Sequence, residues 1–186
     1  MSVRLVEFDR TEFARRRDEV LDVYAEAMQV QPEAARSRRS ILASHLELAG
    51  LTAVGAFDGD RLVGIGYGYL GAPGQWWHDQ VRSALSEPDA AVWLDGAFEV
   101  CELHVRPAYQ GTGLGRRLVA RLLADAPVRT AILTTPDHET RARRFYRAGG
   151  WVDLALDLHF PGDPRAFAVL GLHLARVVGV KDGPAW

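Results

Sequence analysis

A glycine-rich segment, Gln110-Gly111-Thr112-Gly113-Leu114-Gly115, constrains the fold of this chain more than its other sequence features. It follows a strand predicted over Phe98–Val105, and it precedes a helix that extends to about Ala126. Apolar residues at helical spacing give that helix one buried face. The glycines let the backbone approach a ligand closely, and the N–H groups of the loop and of the helix N-terminus form an anion site. The sequence therefore predicts a strand–loop–helix unit that binds a phosphate group.

The residues after the loop restrict the kind of phosphate ligand. Arg116, Arg117 and Arg121 lie in the first turns of the helix, where the dipole disfavours cations by about 0.3 kcal/mol or more, and an anionic ligand reverses that sign. The alternative for these arginines is a solvated helix face. A dinucleotide fingerprint needs glycine at position 116, and a nucleoside-triphosphatase loop needs a Gly-Lys pair. The chain has neither, so both classes are excluded.

The composition indicates one globular domain over residues 1–186. Net charge is −2, which argues against a basic face for nucleic acid. Cys101 is the single cysteine, so a disulfide framework and a multi-cysteine zinc site are excluded. No apolar run is long enough to span a membrane, and the chain does not open on a signal peptide. We expect a cytoplasmic protein without a metal, a membrane or a nucleic-acid partner.

Strand and helix patterns alternate along the chain, which is typical of a layered α/β domain. Glycines at period two lie on one face of the strand 61–70, so either a neighbour packs closely there or the strand is a weak edge. Thr11 and Asp137 are predicted helix N-caps.

The tail from Val177 to Trp186 has three alternative interpretations, which are a strand, a dimer arm and disorder. The predicted strands are 3–8, 51–57, 61–70, 98–105, 130–134, 151–159 and 167–174, and the predicted helices are 11–29, 32–50, 75–85, 114–126 and 137–148.

Two segments together resemble the core motifs of the GNAT superfamily of acyl-CoA-dependent N-acyltransferases. The first motif is Arg or Gln, two residues, Gly, one residue, and then Gly or Ala. The second is a helix-to-strand segment in which Tyr precedes Gly-Phe. The resemblance covers about Phe98 to Trp151, and the order of the flanking elements also fits. The matching residues are Gln110, Gly113 and Gly115 in the first segment, and Ala142, Phe145-Tyr146 and Gly150-Trp151 in the second.

The resemblance implies a fold and an acyl donor. The fold is α/β, with a single twisted mixed sheet of about six or seven strands that splays beside strand 98–105 and is flanked by about four or five helices. The donor is acetyl-CoA, with its pyrophosphate on the backbone of Gly111–Arg116 and its pantetheine paired with Leu103 and Val105. A backbone N–H near Leu103 or His104 would form a small oxyanion hole. The implied acetyl-CoA-binding residues are Leu103, His104, Val105, Gln110, Gly111, Thr112, Gly113, Leu114, Gly115 and Arg116.

The chain also departs from the family pattern. Glu139 replaces an asparagine that is frequent in the family, and Thr134 lies where some members place a catalytic carboxylate. The connection 71–96 is longer than usual, in the region that varies with the substrate. Trp76, Trp77, Trp93 and Phe98 either form the wall of an acceptor pocket there or make a small satellite core.

Strand 98–105 contains three candidates for the general base. Glu99 is the first choice, because strand parity groups it with Cys101, Leu103 and Val105 on an apolar face, where burial raises a carboxyl pKa. Several family members also carry a catalytic glutamate, acting through water, at a similar position. Glu102 and His104 lie on the other face, and a β-bulge would exchange these roles. The alternative for each glutamate is an ion pair with an arginine.

Tyr146 is the candidate general acid for the departing thiolate. Proton transfer from a phenol of pKa near 10 to a thiolate whose thiol has a pKa near 8.5 is uphill by about 2 kcal/mol. Either Arg143, Arg144 or Arg147 therefore lowers the pKa of Tyr146, or the proton is transferred in the transition state. The alternative is a core tyrosine on an amphipathic helix. Cys101 is expected to be a buried strand residue and not a nucleophile.

The resemblance and these candidates together predict an N-acetyltransferase. The acetyl group would pass from acetyl-CoA to a primary amine by direct attack in a ternary complex. The acceptor is either a small-molecule amine or a peptide amine, and the sequence does not decide between them. It also leaves a homodimer as an alternative to a monomer. The alternatives are an acyl-CoA-binding sensor without catalysis and a protein-interaction module on the same fold.

Overall fold

Seven strands form one mixed sheet in the computed structural model, which describes residues 2–174. The strand order is β1-β2-β3-β4-β5-β7-β6. The predicted tail 177–186 lies outside the described residues. The strands are β1 (Arg4–Phe8), β2 (Thr52–Asp58), β3 (Arg61–Leu70), β4 (Phe98–Val105), β5 (Thr130–Pro136), β6 (Val152–His159) and β7 (Ala166–His173). The helices are α1 (Arg10–Arg15), α2 (Arg17–Met28), α3 (Pro32–Arg36), α4 (Arg39–His45), α5 (Trp76–Ala84), α6 (Glu87–Asp89), α7 (Leu114–Leu123) and α8 (Arg141–Ala148), with a π-helical turn at Ala90–Leu94 and a 3₁₀ turn at Pro107–Tyr109.

Contacts divide the chain into two compact units. The first contains the residues up to Tyr69 together with Val100–Ala126, and the second contains Leu70–Glu99 and the residues from Pro127 onward. One domain over 1–186 therefore stays a prediction. None of the helices among residues 2–174 combines the length and apolar character that a membrane crossing requires.

The first unit contains the β2–β3 hairpin and helices α1–α4. Strand β1 pairs antiparallel with β2, and β2 pairs antiparallel with β3. Phe13, Val23 and Ile65 are among the apolar side chains that form its core. The predicted N-cap at Thr11 is wrong, because the Asp9 side chain accepts a hydrogen bond from the Glu12 N–H. Each of the first two predicted helices is divided into two shorter ones.

Close packing explains the glycines on β3. A Cβ on Gly64 would lie 3.0 Å from Leu118 Cδ1 and 3.3 Å from the His104 carbonyl oxygen. A Cβ on Gly66 would lie 3.3 Å from Leu103 Cδ1. β3 lies between β2 and β4, so it is not an edge strand. The absent side chains thus let α7 and β4 approach this face of β3.

The second unit is formed around β5. Phe98 and Glu99 of β4 pair with β5 in parallel, and β7 pairs antiparallel with both β5 and β6. Asp137 does not cap α8 as predicted, because Thr140 is the N-cap and accepts a hydrogen bond from the Arg143 N–H. Asp137 instead accepts a hydrogen bond from the Asp157 N–H. Its role is therefore to hold the bulged β6 strand.

Candidate active site

The glycine-rich loop has the conformation that an anion site requires. Gly111 and Gly113 have φ values of 81° and 83°, in the left-handed region that favours glycine. Gly113 is the N-cap of α7 and makes no side-chain capping bond, so first-turn N–H groups remain for a ligand or for water. A Cβ on Gly113 would meet nothing within 4 Å. The backbone is therefore open to a phosphate group at this point.

Side-chain hydrogen bonds hold the loop in place. Tyr109 donates its hydroxyl to Asp58 Oδ2 at 2.7 Å, and Gln110 Nε2 donates to the Val105 carbonyl at 2.9 Å. Thr112 Oγ1 donates to the Tyr109 carbonyl at 2.7 Å. Gln110 and Thr112 thus shape the loop with their side chains, whatever their backbone groups bind.

The arginines of α7 differ from the sequence-based expectation. Arg117 donates to the Val3 carbonyl at 2.9 Å, and Arg121 pairs with Glu7 and Asp125. These contacts hold α7 to neighbouring elements. Arg116 is exposed and has no ion pair with other residues of the described range 2–174. Arg117 has no carboxylate partner in that range either, so Arg116 differs from the other two in that its guanidinium is engaged there by neither a carboxylate nor a carbonyl.

Glu102 forms the centre of a polar cluster in the first unit. Arg38 Nη2 donates to Glu102 Oε1 at 2.6 Å, and His104 Nε2 lies 2.5 Å from Glu102 Oε2. Burial alone raises the pKa of Glu102, but the hydrogen bonds and charges of His104 and Arg38 outweigh burial and lower it. Glu102 is therefore an ionised carboxylate at neutral pH. Tyr24 flanks both partners, with its ring 5.1 Å from the His104 ring and 4.8 Å from the Arg38 guanidinium.

Strand β4 does not keep the simple alternation that the sequence suggested. Cys101 packs with the core of the first unit, where its Sγ lies 3.6 Å from Tyr67 Oη and 3.5 Å from His45 Nδ1. Its neighbour Glu102 acts electrostatically on the same Tyr67 and His45. Two consecutive residues thus face one side, whereas Leu103 lies against Gly66. The grouping of Cys101 with Leu103 was wrong, although the prediction that Cys101 is a core residue is in keeping with this packing.

A concave pocket in the first unit opens above this cluster. Its cavity volume is about 20 Å³, which is room for a water-sized group, and its walls are mostly apolar side chains of α2, α4 and β3. Tyr24, Arg38 and Tyr67 line it, and sequence reasoning missed all three. Tyr24 lies in α2 and Arg38 immediately precedes α4, and the other residues of these segments predict core packing, so no local pattern marks the two. The pocket-lining residues are Val20, Leu21, Tyr24, Arg38, Ile41, Leu42, Ile65, Tyr67, Glu102 and His104.

Glu99 lies in the second unit and is buried, with 3% of its surface exposed. It is paired in register with Ile132 of β5. Its burial agrees with the sequence-based expectation. Thr134, at the position where some family members have a carboxylate, accepts a hydrogen bond from Trp77 Nε1 at 3.2 Å.

Tyr146 lies on α8 in the second unit and is 9% exposed. Its ring makes edge contacts with Phe145 and Trp151, at centroid distances of 5.1 and 5.5 Å. The arginines expected to lower its pKa are engaged by carboxylates. Arg143 pairs with Asp137 and Asp153, Arg144 pairs with Glu139, and Arg147 pairs with Glu139 and Asp153.

The tryptophans of the connection 71–96 belong mainly to the core of the second unit. Trp77 packs against a cluster that includes Val81, Leu94 and Ile132. The Trp93 ring lies 4.0 Å from the His173 ring. Trp76 is 59% exposed. The satellite-core alternative therefore describes Trp77 and Trp93 better than an acceptor-pocket wall.

Comparisons with known proteins place the chain among the acetyltransferases. The profile of the acetyltransferase (GNAT) family matches residues 17–150, and the chain belongs to this family. It is 34% identical to a GCN5-like protein acetyltransferase of Mycobacterium tuberculosis, over 92% of this chain and 98% of that protein. It is 33% identical to a mycothiol acetyltransferase of Cellulomonas flavigena, over 58% of this chain and 37% of that protein.

Solved structures confirm the fold. A GNAT-family protein from Desulfovibrio desulfuricans has a TM-score of 0.67 at 22% identity, over 94% of this chain and all of that chain. A PaiA N-acetyltransferase from Thermoplasma acidophilum, solved in complex with coenzyme A, has a TM-score of 0.60 at 13% identity, over 93% of this chain and 99% of that chain. The recognition of the family and of its α/β fold from the sequence is thus confirmed.

Proposed function

We propose that the protein transfers the acetyl group of acetyl-CoA to a primary amine by direct attack in a ternary complex. The observation that carries the proposal is the uncapped N-terminus of α7 behind two left-handed glycines. The coenzyme A complex of the Thermoplasma neighbour supports the choice of donor. The Mycobacterium relative is described as a protein acetyltransferase, which makes a lysine side chain the first acceptor to test.

The chain's own backbone would bind the donor. N–H groups from Gly111 to Arg116 would hold the pyrophosphate, and the exposed Arg116 would add a positive charge. Leu103, His104 and Val105 would pair with the pantetheine, and Leu114 and Gly115 would supply first-turn N–H groups. Gln110 and Thr112 would maintain the loop through the hydrogen bonds described above.

The reaction needs a base and an acid. A lysine amine of pKa about 10.4 costs about 4.6 kcal/mol to deprotonate at pH 7, so a base has a large effect on its rate. Glu99, acting through water, is the base that the family resemblance favours. The amine nitrogen then bonds to the thioester carbon, the carbon–sulfur bond breaks, and Tyr146 gives its phenolic proton to sulfur. The nitrogen loses its surplus proton to solvent as the amide forms, and Tyr146 regains a proton from solvent.

Calorimetric titration with acetyl-CoA, with NAD as the control, tests the donor. We expect micromolar affinity for acetyl-CoA and none for NAD. An assay of thiol release with a lysine peptide then tests transfer. Absence of acetyl-CoA binding would contradict the proposal, and binding without thiol release to a broad panel of amines would favour the sensor alternative.

Gly113→Ala is expected to weaken acetyl-CoA binding by about tenfold, because a side chain at this φ costs about 1–2 kcal/mol and disturbs the N–H groups that meet the phosphates. Gly162→Ala is the matched control, since Gly162 has a φ of 84° and, like Gly113, open space around its Cβ position. Both variants should lose similar stability. If calorimetry gave equal acetyl-CoA affinities for Gly113→Ala and Gly162→Ala, the proposal that the loop binds the donor would be contradicted.

A further inference from the structure

The Glu102–His104 pair has a role that the proposed function does not yet use. We propose that His104 is the general base for the acceptor amine, and that Glu102 and Arg38 are positioning residues that hold its ring. This inference rests on the proposed amine acetylation and replaces only the assignment of the base. It is carried by three observations, which are the tautomer of His104, its place in the pocket and the charge balance of the cluster.

The hydrogen bond to Glu102 selects the tautomer of His104. Glu102 is a carboxylate and can only accept, so His104 Nε2 carries a proton and donates it. In the neutral imidazole the lone pair then resides on Nδ1. Within residues 2–174 the structure gives this Nδ1 no hydrogen bond. The atom is thus a proton acceptor held in one orientation.

The small pocket beside this part of β4 has room for a water-sized group such as an amine nitrogen. His104 and Glu102 both line it, together with Tyr24 from α2 and apolar side chains such as Leu21 and Ile65. The His104 side chain is 12% exposed, so it is shielded but reachable. An amine on an apolar stem is chemically compatible with mostly apolar walls, and a lysine side chain has that chemistry.

The charges around His104 do not oppose loss of the amine proton. A lone carboxylate would stabilise an ammonium ion and oppose its deprotonation. Arg38 compensates Glu102, with the Arg38 pKa raised by that carboxylate although burial opposes the shift. The remaining polar groups facing the cluster are Tyr24, Tyr67, Cys101 and His45, and burial lowers the pKa of His45. The cluster is therefore close to neutral before the amine enters.

The proposed acetyl transfer moves protons at three groups, which are the amine, His104 and Tyr146. The ammonium group gives one proton to His104 Nδ1, and its nitrogen lone pair forms the bond to the thioester carbon. The carbon–sulfur bond breaks and sulfur takes a proton from Tyr146. The nitrogen of the adduct then gives up its second proton, which restores the Tyr146 phenol through solvent, and the imidazolium loses its proton to solvent through the open side of the pocket. No oxidant, reductant or metal is required.

The test compares a basic with a weakly basic nucleophile. Thiol release from acetyl-CoA is measured at pH 7 with Nα-acetyl-lysine methylamide and with hydroxylamine, which is largely unprotonated at this pH and needs little base catalysis. We expect His104→Gln to lower kcat with the lysine compound by about tenfold or more, and to have a much smaller effect with hydroxylamine. Added imidazole should restore part of the activity of a His104→Gly variant.

Two further variants complete the experiment. His159→Gln is the matched control, because His159 also bonds through Nε2 to a carboxylate two residues earlier, at 3.0 Å, but on the exposed part of β6. It should retain wild-type rates. Equal losses with both nucleophiles and no imidazole rescue would overturn the proposal, as would a lysine-selective loss in Glu99→Gln and not in His104→Gln. Failure of the wild-type protein to acetylate either nucleophile would instead contradict the proposed function itself.

Discussion

Replacing Tyr146 by phenylalanine is expected to lower turnover by about tenfold or more, while the affinity for acetyl-CoA stays nearly unchanged. The variant keeps the ring that contacts Phe145 and Trp151, so the packing of α8 should survive. It removes only the hydroxyl that we propose as the proton donor to the departing sulfur. Single-turnover rates together with calorimetric affinities measure the two quantities separately.

The ion pairs of α8 explain why the Tyr146→Phe substitution should lower turnover. Since Arg143, Arg144 and Arg147 are all engaged by carboxylates, they do not provide an uncompensated charge for the phenol. The proton must then move as negative charge develops on sulfur. Tyr69→Phe, which removes the hydroxyl of another buried tyrosine, is the control and should not change turnover. A Tyr146→Phe rate within twofold of wild type would exclude the acid role.

Replacing Arg143 by methionine is expected to destabilise the protein by about 3 kcal/mol, because Arg143 is 4% exposed and its loss leaves two carboxylates without their buried partner. For a chain of this length the melting temperature should fall by about 6–12 °C. Arg144→Met is the matched control, since Arg144 is largely exposed and pairs only with Glu139, at 3.3 Å. That change should cost less than about 1 kcal/mol. Similar melting temperatures for the two variants would contradict the assignment.

The same network predicts how stability depends on pH. The hydrogen bond from Arg143 lowers the pKa of Asp137. Burial raises the pKa of Asp153, but Arg147 and Arg143 outweigh burial and lower it. Because the folded pKa values lie below the unfolded ones, the stabilisation is complete at neutral pH and is lost as pH falls below about 4. Urea unfolding at pH 7 and at lower pH should show a weaker acid loss in Arg143→Met than in the wild type.

The parts that the sequence predicted correctly are those set by local patterns. The hairpin of β2 and β3, the helix α7 and the loop at Gly111 and Gly113 each depend on residues adjacent in the chain. Alternation, helical spacing and glycine chemistry are enough to identify such elements. The family motifs also lie within short segments, which is why they led to the correct fold.

The parts that the sequence did not predict depend on distant contacts. Arg38 and Glu102 are 64 residues apart, and no spacing rule connects them. The break in alternation at Cys101 depends on what packs against β4, and the ion pair of Arg121 with Glu7 joins α7 to β1. The N-cap of α8 is Thr140 and not the predicted Asp137, which instead accepts a hydrogen bond from the backbone of β6.

The hydrogen bonds of Tyr109, Gln110 and Thr112 have a consequence for the kinetics of donor capture. A loop already held in the geometry that we propose for pyrophosphate binding would lose little conformational entropy when the ligand arrives. Association should then be governed by diffusional encounter with a phosphate group, accelerated by the exposed charge of Arg116 and slowed by added salt. Substitutions in this loop should therefore change affinity mainly through the dissociation rate of the donor, and not through its association rate.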